Sequence, residues 1–281
     1  MLITNVTANN ASNAQRSMEK TIGKLTSGKR INSAADDAAG LNFSSKTASL
    51  TKSISQAVRN INHGIGFLNT VNAVYEEQYD IIVRARQLAL QNMNDTYTDD
   101  DRALNNTEFL ELLTSQSGEF DRLARGAEYN EITGFLSNPL GDITFQIGID
   151  SNVDSRMVIE HSDIYSIGKS YTHLQNITHP SQIGIETQIK SSKFVDGIDS
   201  VLNAISSKMS FVGARINRLE HSLSGLSHDF EAKTITASRI MDADYASESS
   251  KMTRDKIKFN ASTAALGQAK SMKSSTISLI S

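Results

Sequence analysis

The side chains suited to chemistry are few, and their spacing does not serve it. His221 and His228 stand seven residues apart with Asp229 beside the second, which puts both imidazoles on one helical face and raises the idea of a metal site. No third ligand follows at helical spacing, so polar positions flanking a packed seam account for them better. His173 and His179 have no HExxH-like partner, so a zinc protease would lack its base and its helix. Asp95, Asp99, Asp100 and Asp101 could attract calcium, but the central glycine and terminal glutamate of a hand-type loop are missing. Helix capping explains that cluster better. With neither a P-loop nor a Gly-x-Ser-x-Gly elbow, no catalytic residue, cofactor or metal is expected.

Composition narrows the class further. The chain has no cysteine, which removes disulfides, thiolate zinc sites and cysteine nucleophiles together. Its 28 Lys and Arg against 31 Asp and Glu leave a net charge of -3, which gives no electrostatic reason to expect nucleic acid. No stretch approaches the roughly 18 to 20 apolar residues of a membrane helix. Residues Met1 to Gln15 carry neither Lys nor Arg nor an unbroken apolar run, unlike a cleavable secretory signal. Secretion would use another route.

The elements that would position any site are helices. Apolar positions recur at Ile3, Ala11, Ala14, Met18, Ile22 and Leu25, mostly in steps of three and four. The turn-forming mixture from Thr26 to Gly40 ends that helix near Gly28. A second pattern runs from about Ser44 through Ile54, Ile61, Leu68, Tyr75, Ile82 and Ala89 to Met93; at about 1.5 Å per residue it is roughly 75 Å long, a rod. After the aspartate cluster a shorter helix is expected over Arg102 to Tyr129. Between Gly134 and about Ser192 the period is lost, both prolines (Pro139 and Pro180) occur, and glycines stand at 134, 141, 148, 168 and 184. Alternation of Ile143, Phe145, Ile147 and Ile149 argues for a strand, with Met157 and Ile159 as its partner. Phe194, Ile198, Val201, Ile205, Met209, Val212, Ile216, Leu219, Leu223, Leu226 and Phe230 then step by four and three, as a coiled-coil helix does. A last striped segment carries Met252, Ile257, Ala261, Ala264, Ala265, Met272, Ile277, Leu279 and Ile280, with Lys256, Lys258, Lys270 and Lys273 on its rims.

Both ends are therefore striped helices whose apolar edge needs a partner. Folding back on a central rod would cover it within one molecule; stacking of neighbouring copies would cover it by head-to-tail contacts that propagate into an open helical assembly. Periodicity leaves both open.

Longer motifs separate them. The run LTSGKRINSAADDAAGL from Leu25 to Leu41 resembles the N-terminal signature of bacterial flagellins almost letter for letter. Arg59 to Ile65 (RNINHGI), Asp101-Arg102 ahead of Glu108-Phe109, Glu119 to Ala124 (EFDRLA) with Tyr129-Asn130, Gly213 to His221 (GARINRLEH) and Ser238 to Tyr245 (SRIMDADY) follow in family order. The resemblance implies a mainly α fold: a long antiparallel coiled-coil-like helical rod with paired terminal helices and a small β-containing insert. Residues 1–43 and 241–281 would be the paired inner helices, 44–133 and 193–240 the surrounding rod, and 134–192 the insert. The implied function is a non-enzymatic, secreted subunit that self-assembles into the flagellar filament, through a surface that includes Ile3, Met18, Ile22, Leu25, Ile257, Ala264, Met272 and Leu279. The hook-filament junction protein and a secreted helical adhesin are the alternatives.

Further partners implied by the family are an export chaperone, hook-associated and cap proteins, and a Toll-like receptor, with unfolded export through the flagellar type III apparatus. Many flagellins present Arg-x-Arg-Glu-Leu to that receptor; here Arg84, Arg86 and Leu88 match but Gln87 replaces the glutamate, so recognition with reduced strength is expected. A second departure is Tyr129-Asn-Glu-Ile132, where the family usually has Phe-Asn-Gly.

Overall fold

A computed structural model describes residues 2–113, 118–136, 141–165, 185 and 188–278. Pro139, Pro180, His173, His179, Gly168, Gly184, Leu279 and Ile280 lie outside the described residues. Helix α1 (Leu2–Ser27) closes at Gly28, whose φ of +69° is the left-handed C-terminal geometry that glycine adopts without a Cβ clash. The loop after it is organised by Asp36, whose Oδ2 accepts from the Asn32 and Ser33 amides and from Ser33 Oγ. Those backbone donors hold the Asp36 carboxyl below its ordinary pKa. Ile31 turns inward and is buried against Gly40, where a Cβ would come within 2.6 Å of Ile31 Cδ1.

Helix α2 (Ala38–Asn92) begins six residues earlier than its apolar period indicates, because Asp37 Oδ1 caps the Gly40 amide at 2.9 Å. It ends in a knot of amides: the buried Asn92 Nδ2 donates to the Arg102 and Ile185 carbonyls, and Asn105 Nδ2 donates to Asn92 Oδ1. The expected helix over Arg102 to Tyr129 is corrected. It divides into α3 (Asp99–Leu113) and α4 (Glu119–Gly126), and Tyr129 belongs to a strand. Two local features the period does not register are responsible: Gly118 stands extended at the start of α4, and Asn130 and Glu131 both take positive φ.

Those two residues make a two-residue turn between β1 (Glu128–Tyr129) and β2 (Ile132–Thr133), with φ of 49° and 67°. That is the geometry for which Asn-Gly is preferred. Glu131→Gly is therefore expected to raise stability by about 1 kcal/mol despite glycine's entropy cost in the unfolded chain; an unchanged or lower denaturation midpoint would contradict this.

The alternation in the insert is realised as β3 (Ile143–Gln146), paired antiparallel with β4 (Arg156–Ile159), Phe145 opposite Met157 and Ile143 opposite Ile159. The strand stops before Ile147 and Ile149. At Gly148 the backbone folds so tightly that a Cβ would lie 2.6 Å from Ser155 Oγ. Helix α5 (His161–Tyr165) follows. Helix α6 (Gln188–Met241) contains the cleanest period, and α7 (Tyr245–Ser278) is the last element among the described residues. Asp244 Oδ1 caps α7 by accepting from the Ala246 and Ser247 amides.

The chain divides into two compact units. In the unit Ser53–His228, α2 and α6 run antiparallel: Gly64 packs against Leu219, and Arg86 bonds Asp199 further along. Ile61, Leu68, Val71, Tyr75, Ile82 and Leu88 of α2 are buried in one apolar cluster with Ile198, Val201, Ile205, Val212 and Leu219 of α6. Phe67, Tyr129, Phe135 and Phe145 stack beside it, and Phe109 meets Phe194 edge-on at 5.5 Å. Tyr75 is wholly buried with its hydroxyl donating to the Ile164 carbonyl, and burial pushes its pKa far up. The second unit, Met1–Lys52 with Asp229–Ser281, contains the paired ends.

Candidate self-association surface on the terminal helices

Helices α1 and α7 lie antiparallel, as three bonds across the seam require: Ser17 Oγ donates to Asp255 Oδ2 at 2.6 Å, Lys24 Nζ approaches Glu248 Oε1 at 3.9 Å, and the Tyr245 hydroxyl donates to the Leu25 carbonyl at 2.9 Å. The loop after α1 is tied to the turn before α7. Arg30 N donates to the Met241 carbonyl, Ala243 N to the Gly28 carbonyl, and the Arg30 guanidinium to the Ile240 carbonyl.

The seam is made of small and polar groups. Ala11, Ala14, Thr21 and Asp255 are buried there, with Met18 and Leu25 half-buried. Each buried methyl or methylene contributes only about 0.8 kcal/mol, against roughly 1 to 2 kcal/mol of backbone entropy for each residue ordered. Such a pair is marginal by itself.

Three of its large apolar side chains point elsewhere. Ile22 is 44%, Ile257 63% and Met272 71% exposed. Ile257 follows the seam residue Asp255 by two positions, about 200° around the helix, and Ala264 comes two turns later on the same outward side, also exposed. The expected surface thus separates into Met18 and Leu25, which flank the intramolecular seam, and Ile22, Ile257, Ala264 and Met272, which face outward. Leu279 is outside the described residues, as is the side chain of Ile3. Hydrophobic counting missed Ser17, Thr21, Asp255 and Tyr245. The detectable signal for them was the spacing of Glu248, Met252, Asp255, Phe259 and Ser262, a stripe by position though not by polarity.

The other singled-out residues have local roles. Asp101 and Thr98 form a reciprocal cap at the start of α3, and Asp99 contacts Arg102. His221 and His228 are exposed, while Asp229 pairs with Lys233. Arg84 Nε donates to Glu108 at 2.7 Å and Arg86 donates to both oxygens of Asp199; these acceptor carboxylates hold both guanidinium groups charged. Leu88 is 1% exposed, inside the core of its unit, so a direct contact of its side chain with a receptor is corrected to a packing role.

Residues 1–136 match the bacterial flagellin N-terminal helical region, and residues 195–280 the bacterial flagellin C-terminal helical region. The chain is 34% identical to the flagellar filament core protein flaB2 of Brachyspira hyodysenteriae, covering 96% of this chain and 97% of that one. It is 32% identical to a flagellin of Halalkalibacterium halodurans, again covering 96% and 97%. Among solved structures it is similar to Bacillus cereus flagellin at 21% identity and a TM-score of 0.49, over 60% of this chain and 88% of that chain.

Proposed function

The chain belongs to the bacterial flagellins, and from that premise we propose that copies polymerise through the outward faces of α1 and α7, making it a structural subunit of the extracellular flagellar filament. One observation carries the reading: the terminal pair buries alanine, threonine and aspartate between its helices and leaves Ile22, Ile257 and Met272 outside. A face of that kind is covered by neighbours stacked head to tail, and such contacts continue indefinitely instead of closing.

In this reading residues 1–43 and 241–281 form the paired terminal helices, 44–133 and 193–240 a helical rod, and 134–192 the insert. Subunits travel unfolded through the flagellar export apparatus, escorted by a chaperone, and add beneath a cap beyond the hook-associated proteins. Negative-stain microscopy of the concentrated chain is expected to show long filaments. Short collars would favour the hook-filament junction reading, and persistent monomers would sink both.

Recognition by a Toll-like receptor rests on Arg84 and Arg86, with Gln87 exposed next to Arg86. A neutral amide accepts a weaker hydrogen bond than a carboxylate. Gln87→Glu is expected to raise receptor-reporter potency about tenfold if that group is desolvated in the complex; equal potency of the two chains would remove the role given to this position.

A further inference from the structure

With neither cysteine nor tryptophan in the chain, its eight methionines are the side chains most readily oxidised by two-electron oxidants. Their placement is uneven. Met157 is 1% exposed in the apolar cluster, whereas Met272 on α7, at 71%, is the most exposed large apolar side chain among the described residues of the terminal unit. The register set by Ser17 with Asp255 and by Lys24 with Glu248 puts Met252 level with Lys20, within one helical turn of Met18 along the same seam, and both methionines are half-buried. Thioethers thus stand both in the seam and on the outward side of the terminal unit.

From this placement we propose that Met272 is an oxidation site that controls assembly, with the Met18 and Met252 pair as a slower second site. The oxidant class is a hydroperoxide. The sulfur lone pair takes the terminal peroxide oxygen, the O–O bond breaks as the S–O bond forms, and with hydrogen peroxide the other product is water. The thioether is oxidised by two electrons and the peroxide reduced by two. The product replaces a flexible apolar group with a polar, chiral sulfoxide, which must lose its hydration when a neighbouring copy covers it. Oxidised subunits are therefore refused, and reduction readmits them. The inference rests on the filament reading, which supplies the covering copy.

The test uses the intact chain. Subunits are treated with graded hydrogen peroxide, sulfoxides are mapped by mass spectrometry, and the critical concentration for polymerisation is measured by sedimentation. Met272 is expected to react first, Met18 and Met252 later, and Met157 last. At the dose that oxidises Met272 alone the critical concentration rises about tenfold or more. Methionine sulfoxide reductase restores it, and the critical concentration of Met272→Leu, compared with that of the same variant untreated, does not rise at that dose; Met272→Ile repeats the comparison. An unchanged critical concentration with Met272 fully oxidised overturns the inference, as does a leucine variant as sensitive as the parent chain. Failure of the untreated chain to form filaments would instead bring down the filament reading, so the two failures are distinguishable.

Discussion

A chain lacking residues 2–27 is expected to remain monomeric at every concentration while its unit Ser53–His228 still unfolds cooperatively. The two units depend on different chemistry. The larger one buries Tyr75, Phe109, Phe135, Met157 and a ladder of isoleucines and leucines between antiparallel helices, and full burial of a side chain of that size contributes about 1.5 to 3 kcal/mol. None of those residues is in α1. The terminal unit would lose one wall of its seam: Asp255 would lose the Ser17 hydroxyl, the Tyr245 hydroxyl would lose the Leu25 carbonyl, and the stripe of α7 would face water. Most of a helix's stability in a protein comes from packing of its striped face, so α7 should lose much of its helicity. The checks are sedimentation velocity for assembly and circular dichroism with denaturant for the remaining unit. Filaments from the truncated chain would refute the proposed surface. Loss of the cooperative transition would show instead that the units are not independent.

Replacing Ile257 by aspartate should have an effect nearly as large with far less disturbance to the subunit. Ile257 lies on the side of α7 away from Asp255 and is 63% exposed, so the free subunit has little packing to lose there. In an assembled filament the isoleucine would be covered, and its burial would contribute about 1.5 to 3 kcal/mol. A carboxylate in its place would add a desolvation cost of at least similar size. Together these raise the critical concentration by about a hundredfold or more, since each 1.4 kcal/mol is tenfold. Helicity and thermal midpoint of the monomer should stay near those of the parent chain. A matched substitution at the seam, Asp255→Ala, supplies the contrast: it removes the partner of Ser17 and should lower the stability of the terminal pair before assembly is considered. An Ile257→Asp chain that polymerises normally would move the interface off this face.

Much of the fold was legible because burial on one side of a helix imposes a period of 3.6 residues on the sequence. The steps from Phe194 to Leu226 fall within α6, and Gly28 ends α1 through a backbone conformation that glycine tolerates best. The boundaries were less legible. Helix α2 starts at Ala38 because Asp37 caps it, although Ala, Asp and Gly in that stretch also suit a turn. The helix expected over Arg102 to Tyr129 gave way to α3, α4 and a hairpin because apolar spacing contains no term for a left-handed pair such as Asn130 and Glu131.

The self-association surface was legible only in outline. Sequence alone determined that both ends are striped helices and, through the run from Leu25 to Leu41, which family they resemble. Only the tertiary structure decided which side of each stripe meets the other helix and which is left to solvent. Periodicity reports that a side chain has a preferred direction, not what lies in that direction. Here the intramolecular partner is met by Ala11 and Ala14, which belong to the stripe of α1, and by threonine and a hydroxyl-bonded aspartate, which are too polar to register in it, while Ile257 and Met272 register and face away. Three-dimensional register, set by Ser17 on Asp255 and Tyr245 on Leu25, is what distinguishes the two.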